Sequence, residues 1–223
     1  MSAPAGTLEI TFDASGAAEA GRRGRVVCVV DVVDASTSAE AAWSNGAVAL
    51  LGAAPAGATV PVGVDPGAIA RRAVELDRGL GIVVAAEPRV GDPSAREQRA
   101  APVLDELRDA GIGWDLVPNQ GAELPGLVKL EGRVVVVVST TGGAAFDAAL
   151  AAGAPAACFA TTARVEGKTG WEVAQAGAER AASLARKHTT GLTVVAASAN
   201  SADDCLGAFE IARRIVALGF LRP

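Results

Sequence analysis

Four short apolar runs, rich in β-branched residues, constrain this chain more than anything else in it. They are VVCVV at 26–30, LGIVVAA at 80–86, RVVVVV at 133–138 and LTVVAA at 192–197. Each is too short for an ordinary helix, and none alternates apolar with polar residues. Each therefore reads as a strand buried on both faces, and such strands belong to parallel sheets covered by helices. Shorter runs at 47–51 and near 156–160 read the same way.

Helical stretches separate the runs. Thr37 and Glu40 have capping-box spacing, so a helix is expected to start near Thr37 and end at Gly46. Asp65-Pro66 opens a second helix through Arg78, with Gly79 just past its end. Further helices are expected over 94–110, from about Gly143, over 171–187 and over 203–218, while 111–131 reads as irregular. The alternation predicts an α/β protein of three-layer α/β/α type with a mostly parallel or mixed sheet. No internal repeat and no clean linker stand out. Residues 1–223 read as one domain, with 111–131 as the one place where two subdomains would divide.

Composition narrows the function. Half of the residues are hydrophobic but only 4% are aromatic and none is tyrosine, so Ala, Val, Leu and Ile must build the core. The net charge is −5, and the only basic cluster, Arg22–Arg25, precedes a strand and reads as a solvated edge. A nucleic-acid partner, which needs a basic face or a stacking platform, is not expected. Cys28, Cys158 and Cys205 are scattered, and an odd count without CxxC argues against a disulfide framework. The opening MSAPAGTLEITF lacks the pattern of a signal peptide, and no apolar run approaches the roughly 20 residues of a membrane span. The expectation is a cytoplasmic protein with no membrane partner.

Ligands of open α/β sheets bind beyond the carboxyl ends of the strands. Four such ends are polar here: Asp31-Val-Val-Asp34-Ala-Ser36-Thr37, Glu87-Pro-Arg89, Ser139-Thr140-Thr141-Gly142-Gly143, and Ser198 through Asp204. Any one of them is also an ordinary set of helix N-caps. Together they offer carboxylates at Asp31, Glu87, Asp203 and Asp204 that suit a hard cation. The hydroxyls and the Gly142-Gly143 amides suit an anion. That pairing points to metal-assisted chemistry on a phosphate ester. GxGxxG and GxSxG are absent, and Gly167-Lys168-Thr169 lacks the leading glycine of a P-loop because Thr162 stands there. His188, the only histidine, follows Arg186 and Lys187 and reads as a helix-end cap, which makes a zinc site improbable.

The same polar ends, in the same order, resemble the 2-phosphosulfolactate phosphatase (ComB) family. Its DVLRAST signature is similar to VVDVVDAST at 29–37, followed by Asn45-Gly46-Ala47. Its GER-like turn resembles Ala86-Glu87-Pro88-Arg89, and its GFDLGNSP loop resembles Gly113-Trp114-Asp115-Leu116 with Asn119 displaced. Its TTNGT turn resembles Thr140-Thr141-Gly142-Gly143-Ala144, and its closing S-x-E-D resembles Ser201-Ala202-Asp203-Asp204. The resemblance spans nearly the whole chain and implies a Mg²⁺-dependent phosphatase acting on a small anionic substrate, with a homodimer compatible with it. It implies Asp31, Glu87 and Asp204 as catalytic residues, and Asp31, Glu87, Asp203 and Asp204 as metal ligands. Substrate would be held by Ser36, Thr37, Arg89, Asn119, Thr140, Thr141, Gly142, Gly143 and Ser201. This chain departs from the pattern at Asp34, which replaces an Arg, and at Gly142, Ala144 and Ala160. The departures leave two other readings open: a diverged enzyme of the same fold working on another small acid, and a binding protein without catalysis.

Overall fold

In the computed structural model, which describes residues 6–221, the apolar runs are the inner strands of two parallel sheets. The elements in chain order begin with β1 (Leu8–Phe12), α1 (Asp13–Arg22), β2 (Val26–Val30) and α2 (Ala35–Ser44). Next come β3 (Ala49–Ala53), α3 (Pro66–Leu76), β4 (Ile82–Ala86), α4 (Pro93–Asp109) and β5 (Trp114–Pro118). A 3-10 turn (Gly121–Gly126) leads to β6 (Val134–Val138), α5 (Gly142–Ala151) and β7 (Ala157–Ala160). The chain closes with α6 (Gly170–Lys187), β8 (Leu192–Ala196) and α7 (Ala202–Ala217). One sheet has the order β1-β8-β2-β7, the other β3-β6-β4-β5, and every pairing is parallel. This is a three-layer α/β/α fold. Every residue of β2, β4, β6 and β8 is buried, as unbroken apolar runs require. No helix among the described residues is long and apolar enough to cross a membrane.

β1 and β5 escape sequence reading because they are edge strands, buried on neither face throughout. Without an unbroken apolar run, LEITF and WDLVP carry only a weak strand signal. Residues 111–131 are accordingly not a plain loop. They also do not divide the sheets, since β5 before the turn and β6 after it lie in the same one.

A repeat that sequence reading did not find is visible in the topology. The unit β2-α2-β3 starts in the first sheet and ends in the second, while β6-α5-β7 starts in the second and ends in the first. The two crossover helices take different neighbours, α5 packing on α1 while α2 meets α6 through Glu40 and Arg180. The residue before each starting strand is an arginine, and both make the same clamp at the amino-terminal edge. Arg25, 1% exposed, donates to the carbonyl oxygen of Leu192 at 2.6 Å and lies 3.4 Å from Glu9 on β1. Arg133 donates to the carbonyl of Ile82 at 3.1 Å and to the Asp115 carboxylate on β5 at 2.5 Å. The Arg22–Arg25 run is thus not simply a solvated edge, because its last member is buried in the sheet.

The expected capping box at Thr37 and Glu40 is not formed. α2 begins two residues earlier, and Glu40 is a buried carboxylate that accepts from Arg180 at 2.7 Å. Arg180 also donates to the carbonyl of Phe159 at 2.8 Å, on the edge of β7 that meets no strand. The capping box lies instead at Thr169 and Glu172, where the P-loop tail was weighed, and it opens α6. His188 is the exposed C-cap of the same helix. β3 sits two residues later than expected and includes Gly52. A Cβ there would lie 2.7 Å from both Phe146 and Phe159, whose stacked rings fill the seam between the sheets.

Candidate functional site

The carboxyl ends of both sheets meet around Asp31, the first residue after β2. Its turn is tight because Ser36 both accepts from the Asp31 backbone N–H at 2.9 Å and donates to the Val29 carbonyl at 3.0 Å. Ser36 is therefore a buried turn-former. The Asp31 side chain crosses to the other half of the repeat. Its Oδ2 accepts from the Thr141 hydroxyl at 2.7 Å and from the Gly142 N–H at 2.8 Å, and its Oδ1 accepts from the Asp34 N–H at 3.3 Å. A Cβ on Gly142 would come within 2.6 Å of Asp31 Oδ2, so this approach requires glycine.

The anion cradle expected at the start of α5 is consequently occupied by the protein itself. Gly142 N–H serves Asp31, and Gly143 N–H donates to Ser139 Oγ at 2.7 Å. A carboxylate at a helix N-terminus is a favourable partner for the dipole, so Asp31 stands where an anionic ligand would.

Asp204 joins the same centre from α7. Its Oδ1 accepts from the Val32 N–H at 2.8 Å, while its own N–H is capped by Ser201 Oγ at 3.2 Å. Burial pushes the Asp204 carboxyl up to about 6, against the pull of the Val32 N–H, and the Asp31 charge adds to the rise. Ser201 is occupied as an N-cap, and Asp203 is exposed.

Glu87 belongs to a second group. It accepts from Thr140 Oγ1 at 2.7 Å and from Thr140 N–H at 3.2 Å, and Arg99 donates to it at 3.3 Å. Thr140 and Thr141 are neighbours, so the groups of Glu87 and Asp31 touch through this pair. Arg89 donates to the Asp34 carboxylate, to the Val33 carbonyl at 2.9 Å and to the Asn119 carbonyl at 3.3 Å. Asp34 is thus the counter-ion of the one arginine expected to grip substrate. Burial raises the Asp34 pKa, opposed by Arg89 and assisted by the Asp31 charge.

Asn119 and Thr37 sit deeper than a substrate contact would. Asn119 is fully buried, accepts from Ser38 Oγ and leaves its Nδ2 without a partner among the described residues. Thr37 donates to the Val32 carbonyl at 2.5 Å and shares a 2.9 Å hydrogen bond with Thr161. Of the departing positions, Ala144 and Ala160 are buried, and Ala160 packs against Gly177, where a Cβ would lie 2.7 Å away.

Thr161, Ser38, Arg99 and Asp13 were not read from the sequence. Thr161 ends β7, a position that the strand-end rule could have found. Asp13, the first residue after β1, holds a φ of 59° and accepts from the Ala199 N–H at 3.0 Å. It was hidden because its strand was.

The expected four-carboxylate metal centre is not assembled in this arrangement. Glu87 faces Thr140 and Arg99, Asp203 faces solvent, and among the described residues no three His, Cys, Asp or Glu side chains stand together as a metal site. What remains is the pair Asp31 and Asp204. A depression of about 560 Å³ lies between the 3-10 turn and residues 164–172, but none of the expected site residues lines it. No protein-family model matches this chain, and no curated protein matches it.

Proposed function

We propose that the protein hydrolyses a small anionic phosphate ester at the carboxyl ends of β2 and β6, with Mg²⁺ as cofactor. The carrying observation is that Asp31, bonded to the Thr141-Gly142 turn, and Asp204, bonded to the Val32 N–H, stand close enough for the Asp31 charge to add to the rise of the Asp204 carboxyl. Mg²⁺ is commonly held by one or two carboxylates, with waters and substrate phosphate completing its shell. Asp31 and Asp204 fit that description, and a cation between them would offset the burial that chiefly raises Asp204 and the Asp31 charge that adds to it. When bound, Mg²⁺ supplies polarisation of a phosphoryl oxygen. With the cation bound, Asp204 would stay ionised as its ligand. Arg89 offers the guanidinium for the substrate anion, which must replace Asp34 there.

A second reading, a binding protein without catalysis, is favoured by the closed state of the same groups. Asp31 fills the α5 N-terminus and Asp34 neutralises Arg89.

Melting curves with and without millimolar Mg²⁺, together with a panel of small phosphate esters that includes 2-phosphosulfolactate, separate the two. Phosphatase reading: Mg²⁺ raises the melting temperature, Asp31→Asn removes the rise, and at least one ester is hydrolysed. A melting curve indifferent to Mg²⁺ with no ester turned over leaves the binding reading standing.

A further inference from the structure

Two of the three cysteines, from opposite halves of the chain, are brought side by side in the first sheet. Cys28 in β2 and Cys158 in β7 are register partners, and their thiols lie close enough for each to shift the titration of the other. Neighbouring strands lie about 4.8 Å apart, within the Cα separation of about 4.4–6.8 Å that a disulfide spans. Both thiols are free in the structure.

They differ in access. Cys28 is fully buried, whereas Cys158 lines a cavity of about 240 Å³ at the seam where β7 and β3 face each other without ladder hydrogen bonds. Trp43, Leu50, Phe159 and Leu184 give this cavity apolar walls, and Arg180 supplies one cation. Trp43, 44% exposed, lies under the Arg180 guanidinium at 5.6 Å. Arg180 Nε is buried without an acceptor among the described residues.

We propose that Cys158 and Cys28 form a peroxide-sensitive dithiol, in which a small hydroperoxide entering this cavity oxidises Cys158 and Cys28 resolves the product as a cross-strand disulfide. In the first step the Cys158 thiolate attacks the terminal peroxide oxygen. The O–O bond breaks, sulfur is oxidised by two electrons to the sulfenic acid, and the departing alkoxide takes a proton to become the alcohol. In the second step the Cys28 sulfur attacks Cys158. The S–O bond breaks, the hydroxide leaves as water with the Cys28 proton, and the S–S bond forms. A small dithiol reverses the product by exchange.

The roles follow from the environment. The neighbouring Cys28 thiol holds the Cys158 thiol down, burial opposes it, and the Arg180 charge helps. The neighbouring Cys158 thiol and burial push Cys28 up, so it keeps its proton until the second step. Attack by the thiolate of the lower-pKa partner is the usual order in such pairs. The bridge would form three residues before Asp31 on β2 and three before Thr161 on β7.

The test exposes native, reduced protein to tert-butyl hydroperoxide, blocks the remaining thiols and maps peptides without reduction. The expected product is a linked peptide pair carrying Cys28 and Cys158, with Cys205 still alkylated and the link lost on adding dithiothreitol. In Cys28→Ser, Cys158 should accumulate as a dimedone-reactive sulfenic acid about tenfold faster than Cys205. Exposure alone predicts the reverse order, because Cys205 is the most accessible of the three. Prior modification of Cys205, a bridge through Cys205, or a Cys28–Cys158 bridge that forms only in urea overturns the proposal. Cys158→Ala, a small change in a buried strand, should abolish bridging without altering the circular dichroism spectrum. Bridging that survives it also overturns the proposal.

Discussion

Asp147 offers the sharpest test of the electrostatics of this fold. It lies on the inner side of α5, 1% exposed, and accepts from the Ala54 N–H at 3.1 Å and the Asp65 N–H at 2.7 Å. Its two oxygens thereby hold both ends of the connection between β3 and α3. Burial raises its pKa from the ordinary 3.8 to about 6 despite the two N–H donors, with the Asp65 charge adding to the rise. Desolvation wins because two neutral amides do not replace the water that a buried carboxylate loses. A folded-state pKa above the unfolded one means that the folded protein binds the proton more tightly. The associated stability is fully present below about pH 3.8 and is lost as pH rises through about 6. At 1.36 kcal/mol per pH unit the difference amounts to about 3 kcal/mol. Asp147→Asn isolates it from Asp204 and other acids. The amide keeps the shape, removes the titration and leaves one N–H facing its NH₂, at a cost of about 1–3 kcal/mol. Urea unfolding of both proteins from pH 8 to pH 4 should show wild type gaining about 2.5 kcal/mol on Asp147→Asn as pH falls. Parallel curves, or a carbon-detected NMR titration placing Asp147 at an ordinary carboxyl pKa, would refute the reasoning.

Two further outcomes bear on the site and its frame. Gly142→Ala puts a Cβ 2.6 Å from Asp31 Oδ2 and 2.8 Å from the Ala35 Cβ. It should lower stability by about 1–3 kcal/mol in denaturant unfolding and weaken any Mg²⁺-dependent rise in melting temperature. Thr169→Ala breaks the capping box that opens α6, where Thr169 and Glu172 exchange hydrogen bonds. It should cost about 1 kcal/mol by the same assay, with the circular dichroism spectrum otherwise unchanged.

The inner strands were legible because burial on both faces leaves a mark in the sequence. VVCVV and VVVVV can sit only where helices cover both sides, and that places the polar residues after them at the sheet's carboxyl edge. Helix starts with a local signal were legible too, as Asp65-Pro66 shows by accepting from the Ala68 N–H at 2.8 Å. Thr37 and Glu40 show the limit of that reading. The spacing matches a cap, yet Glu40 is drawn away by Arg180, whose position in sequence says nothing of its proximity. Edge strands β1 and β5 were missed because partial burial permits a mixed pattern. The pairing of Cys28 with Cys158, the matched clamps of Arg25 and Arg133, and the capture of the Gly142 N–H by Asp31 were likewise decided only by the tertiary structure. Each depends on which strand lies beside which, and the crossover of the two β-α-β units between the sheets settles that order. Local sequence records burial and turns; it does not record neighbours distant along the chain.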